Sequence, residues 1–144
     1  MLYEQQNIVI FAFQFSQLSL IYLTMDYKFI KTEYIESVSG GDPEIISELV
    51  SLFKEQAVEI SEEMKALLEA KSYKLLGLLA HKAKSSVSIM GMDDLAVMLK
   101  TFELQARDEK ESQLYESYII RFSTETLGAI NELEDLVNRQ LKSS

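Results

Sequence analysis

His81 is the only histidine among 144 residues, and its imidazole is the side chain best suited to chemistry. It lies in Ala80-His81-Lys82-Ala83-Lys84-Ser85-Ser86-Val87-Ser88-Ile89-Met90-Gly91. At about 100° per residue on an α-helix, Lys74, Gly77, Leu78, Lys84, Ser85 and Ser88 share the histidine's side. Leu76, Leu79, Ala83, Ser86, Val87 and Met90 fall opposite, with Leu75 at the margin, and form the stripe that would face a core. The imidazole should therefore point outward. Gly77 one turn before it and Ser85 one turn after should leave its surroundings low and open. Lys84, at i+3, can bring an ammonium beside anything attached to the ring.

Several chemistries fail on these residues. A di-iron bundle needs Glu-x-x-His pairs, and Leu78 stands three residues before His81. Haem ligation by His81 with Met90 or Met92 conflicts with an outward ring and with Met90 on the far side of the helix; methionines here read as core filler. There is no Gly-x-Ser-x-Gly elbow and no glycine-rich phosphate loop, which removes the serine-hydrolase reading and gives no reason to expect ATP binding. What remains is nucleophilic attack by neutral imidazole, a competent nucleophile toward phosphorus near neutral pH. Lys84 would offset the charge of a phosphoryl group, and the Ser85 hydroxyl could donate to one of its oxygens.

The elements that must position this ring are helical. One proline and five glycines leave little punctuation, and the length fits one core. A helix is expected over 31–39, with Thr32 as cap and Tyr34, Ile35 and Val38 on one side, stopped by Gly40-Gly41. Asp42-Pro43-Glu44 is a start signal, and Ile45, Ile46, Leu49, Leu52, Phe53, Ile60, Met64, Leu67 and Leu68 recur at helical spacing to about Ala70. Ser72 should cap the helix carrying His81, and Gly91 should end it. Asp93 or Asp94 opens another, with Leu95, Met98, Leu99 and Phe102 on one face, and residues 107–111 form a charged turn. The last helix spans about 112–141, with Leu114, Tyr118, Ile119, Phe122, Leu127, Ile130, Leu133, Leu136 and Val137 as its apolar set. The predicted fold is all-α: an antiparallel up-down-up-down four-helix bundle with a short N-terminal lid helix.

Residues 1–24 form a distinct apolar extension before a domain at 25–144. No charge occurs between Gln5 and Met25. A membrane anchor nearly fits the roughly 20 residues required, but Gln14, Ser16, Gln17 and Ser19 weaken it, and no basic residue supports a signal peptide. The favoured reading is an extension packed on the domain or on a second copy, or a product of the chosen start codon. Net charge is −9, which argues against nucleic-acid phosphates as partners. The absence of cysteine excludes disulfides and is compatible with the cytoplasm.

The His81-to-Gly91 segment resembles the His-x-x-Lys-Gly-Ser/Ala-Ser/Ala core of histidine-containing phosphotransfer (HPt) domains, and Gly40-Gly41-Asp42-Pro43-Glu44 resembles their entry into a long helix. The likeness covers about residues 26–141. It implies that His81 is the phosphoryl acceptor and Lys84 the family's lysine one turn on. Ser85 stands where glycine is usual. The implied role is a phosphocarrier rather than an enzyme, exchanging a phosphoryl group with receiver domains of response regulators or of hybrid sensor histidine kinases. Gly77, Leu78 and Ser88 would line the docking surface beside Lys84 and Ser85. No cofactor of its own is expected, since magnesium would sit in the receiver. Two rivals remain: a helical module that binds such partners without accepting phosphate, and a membrane-tethered signalling subunit. Self-association through the apolar extension is a further expectation.

Overall fold

A computed structural model describes residues 27–143, and the extension at 1–24 lies outside them. Five α-helices account for almost all of this stretch: α1 Thr32–Ser39, α2 Pro43–Glu69, α3 Tyr73–Ile89, α4 Asp93–Arg107 and α5 Tyr115–Ser143, the last entered through a 3-10 turn at Ser112–Leu114. Among the described residues there is no strand. Nor is any helix among them long and apolar enough to cross a membrane.

The helix boundaries follow from local chemistry. Gly40 and Gly41 take φ of 65° and 78°, left-handed values that cost glycine little and end α1. Asp42 then caps α2, its carboxylate accepting from the Glu44 N–H at 2.9 Å, with Pro43 at the first helical position. Helix α3 ends in a Schellman motif. The Gly91 N–H reaches the Ser88 carbonyl and the Met92 N–H reaches that of Val87, with Gly91 at φ 75°. The same closure ends α2 and α4, but there the left-handed residues are Lys71 (φ 56°) and Glu109 (φ 53°).

Two expected caps are corrected. Thr32 lies inside α1, whose N-cap is Lys31. Ser72 does occupy the N-cap of α3 but its hydroxyl caps nothing; the preceding Schellman turn already fixes the chain there.

The core is formed by the expected faces of all four long helices. Ile46, Ile60, Met64, Leu76, Val87, Leu95, Leu99, Phe102, Tyr115, Phe122 and Leu133 are essentially inaccessible. Several residues assigned to apolar faces, those of α1 included, are instead exposed: Tyr34, Val38, Ile45, Leu52, Leu114 and Leu127. Each lies at the edge of its stripe, where helical periodicity does not separate core from rim. Tyr115 stacks edge-on against Tyr73, with ring centres 5.3 Å apart. Phe102 packs against both Tyr115 and Tyr118.

Pairwise contacts give the helix directions. Lys54 meets Glu134 and Ser61 meets Ser123, so α2 and α5 run oppositely. His81 meets Glu103, and Gly77 meets the stretch from Glu103 to Arg107, so α3 and α4 do too. The segment 27–31 straps this assembly. The Glu132 carboxylate accepts the backbone N–H groups of Lys28, Phe29 and Ile30. Tyr27 donates to Asp135 at 2.7 Å. The Phe29 ring fills the space over Gly128, where a Cβ would lie 2.3 Å from it. The Lys31 N–H bonds the Met90 carbonyl at 3.0 Å, and its ammonium meets Asp93 at 2.6 Å. The strap thus fastens the end of the helix that carries His81.

Candidate phosphoacceptor site

Helix α3 buries Leu76, Leu79, Ala80, Ala83 and Val87, and this fixes what its other side presents. The His81 side chain is 58% exposed, as the helical count predicts. Its Nδ1 lies 3.0 Å from Oε1 of Glu103 on α4. Glu103 is largely covered, with 15% of its side chain accessible, and its second oxygen receives the Lys100 ammonium at 3.3 Å. Burial works against ionisation of this carboxyl, but the hydrogen bonds from His81 and Lys100 outweigh it and hold its pKa below the ordinary glutamate value.

An ionised carboxylate can only accept hydrogen bonds. The neutral imidazole has one ring proton, so Glu103 selects the tautomer in which Nδ1 carries it. Nε2 then keeps its lone pair, on a ring that stands mostly in solvent. The carboxylate also holds the ring's orientation, and it would counter positive charge on the imidazole if Nε2 bonded to an electrophile.

The other predicted residues divide clearly. Leu78 is 69% exposed. Ser85 and Ser88 are exposed on the same side, their hydroxyls donating to the carbonyls of His81 (3.4 Å) and Lys84 (2.7 Å). The Ser85 contact is long and leaves that hydroxyl weakly held. Lys84 is half-buried, and by helical rotation it falls on the same side of His81 as Gly77. Gly77 departs from the expectation: it is buried, not part of an open rim. A Cβ there would lie 3.1 Å from both the Arg107 nitrogen and the Glu103 carbonyl oxygen, and 3.4 Å from the Ala106 side chain. Its role is to let α4 approach α3 closely enough for Glu103 to reach the ring.

Gly77→Leu should therefore destabilise the domain by about 2–3 kcal/mol, because the obstructing atoms are backbone and cannot swing aside. A urea titration checks this as a fall in the unfolding midpoint. An unchanged midpoint would mean the helices are not in contact there.

Glu103, Leu75 and Ile89 are the site residues that sequence reasoning missed. Leu75 and Ile89 are 55% and 43% exposed beside Leu78, and the helical count had left Leu75 on the core's margin. Glu103 gave no usable signal, since its nearness to His81 depends on how α3 and α4 pack.

Comparison with known proteins bears on the same stretch of chain. The family model for the Hpt domain matches residues 48–139, which include His81 and Glu103. No curated protein and no solved structure matches the chain. A match over more than half of its length, spanning parts of all four long helices, means that the chain belongs to the Hpt domain family, the histidine-containing phosphotransfer modules of phosphorelays.

Proposed function

We propose that this domain carries a phosphoryl group on Nε2 of His81, receiving it from the aspartyl phosphate of one receiver domain and passing it to the aspartate of another. The observation that carries this reading is the clamp on the sole histidine: Nδ1 held by Glu103 on a ring otherwise exposed. In the forward step the Nε2 lone pair attacks phosphorus, the N–P bond forms, and the P–O bond to the donor aspartate breaks. The carboxylate leaves with that electron pair. The ring becomes positive while Nδ1 keeps its proton, and Glu103 faces that charge. In the second step an acceptor carboxylate attacks phosphorus and returns neutral imidazole, with no net proton change at Nδ1.

In this reading Lys84 and Ser85 of α3 would meet phosphoryl oxygens, by charge and by hydrogen bond. Leu78 and Ser88 lie on the docking side, joined by Leu75 and Ile89. The up-down-up-down arrangement of the long helices with α1 as its lid belongs to this reading. It is supported by the opposed pairings of α2 with α5 and of α3 with α4, and by Ile35 of α1, which is wholly buried. Receivers of response regulators and of hybrid sensor kinases are the partners it names, in the cytoplasm. Mixing the protein with phosphorylated receivers should give acid-labile, base-stable label on this chain. Absence of label with every receiver tried would refute the relay role.

A further inference from the structure

Helix α3 differs electrically from everything around it. In a chain of net charge −9, Tyr73–Ile89 carries Lys74, Lys82 and Lys84 and no acidic residue. Its neighbour α2 carries seven glutamates against two lysines. Lys74 and Lys82 are exposed, and none of the three α3 ammonium groups enters an ion pair among the described residues. Beside them stand the exposed side chains of Leu75, Leu78 and Ile89. By the rotation of about 100° per residue, these apolar residues and Lys82 turn toward the same side as Ser86, whose hydroxyl meets Gln56 of α2 at 3.0 Å. Across that seam α2 exposes Leu52 and, one turn beyond Gln56, Glu59.

The surface beside His81 is therefore an apolar strip with a cationic border on α3 and an anionic border on α2. Like charges facing each other across an interface penalise wrong partners and wrong orientations, while opposite charges accelerate encounter. We infer that this face selects a receiver whose rim is acidic where it meets α3, apolar at the centre, and free of acid where it meets α2. Resting on the relay reading above, this names the chemical class of its partner and the orientation in which that partner lands. Exposed lysines contribute little to the strength of a formed complex, so the effect belongs chiefly to the association rate and falls with salt.

The test separates docking from chemistry. Potassium phosphoramidate, a small P–N donor that needs no docking, loads His81. The second-order rate of transfer is then followed to an acidic-rimmed receiver, and to the same receiver with rim acids outside its metal site changed to lysine. For the wild-type chain the acidic receiver should react at least about tenfold faster in 50 mM than in 500 mM salt. Lys74→Glu with Lys82→Glu should slow that reaction by about tenfold or more at low salt and restore the rate toward the lysine-rimmed receiver. Equal wild-type rates to both receivers, indifferent to salt and to the charge reversals, would overturn the charge-selection proposal while leaving the relay reading standing. Loading of His81 without transfer to either receiver at any salt would overturn both.

Discussion

His81→Gln is expected to abolish phosphoryl acceptance completely while leaving the fold intact. The chain has no second histidine to substitute, so no residual acid-labile label should remain. Glutamine suits the test because its amide can still donate to the Glu103 carboxylate, leaving that largely covered group with a partner. The His81 side chain is 58% exposed, so the stability change should stay within about 0.5 kcal/mol. Far-ultraviolet dichroism and a urea midpoint report the fold, and label after incubation with phosphorylated receivers reports acceptance. A variant that folds and labels as well as the wild type would move the chemistry to another side chain.

The second large effect concerns Glu103. Glu103→Ala removes the acceptor that fixes the ring's tautomer and orientation, and the anion that faces positive charge on the imidazole. Outer-shell partners of this kind are typically worth about 10–100-fold in activity, and transfer should slow by that factor. Glu103→Gln should recover part of the loss, because its carbonyl can still accept from Nδ1–H although it carries no charge. A merely structural role for Glu103 would be met equally well by either variant and would leave the rate of phosphoramidate loading unchanged.

The pH dependence of stability gives an independent reading of the same contact. Glu103 is held below its ordinary pKa, so its contribution is fully present above the unfolded glutamate value. It is lost as pH falls through the lower folded value. The stability difference between wild type and Glu103→Ala should therefore shrink as pH falls through the folded Glu103 value. A difference that stayed undiminished once this carboxyl is protonated would contradict an ionised Glu103 whose bonds to His81 and Lys100 stabilise the fold.

Much of the fold was legible because its boundaries use strong local signals. Gly40-Gly41, Asp42-Pro43 and Gly91 act through backbone conformation and capping, which depend on a few adjacent residues. The ends of α2 and α4 carried no such mark, since Lys71 and Glu109 adopt left-handed conformations usually left to glycine. The outward direction of His81 followed from helical periodicity alone. Its partnership with Glu103 did not, because 22 residues separate them in sequence and only the packing of α3 on α4 sets the register. Gly77 was misread for the same reason: one helix cannot tell a small residue that leaves an open surface from one that admits a neighbour. The strap at 27–31 was equally hidden, since Glu132 and Gly128 read as ordinary residues of a helix until Phe29 and its neighbours are placed against them.

Because the chain holds a single imidazole, protein labelled with 15N-histidine gives one ring to observe, and its spectrum tests the central claim directly. Before phosphorylation at neutral pH, the neutral ring should show its proton on Nδ1 and a bare Nε2. After transfer from a phosphorylated receiver, Nε2 should show coupling to phosphorus while Nδ1 keeps its hydrogen bond to Glu103. A neutral ring protonated on Nε2, phosphorus attached to Nδ1, or a ring unchanged after incubation with phosphorylated receivers would contradict the account.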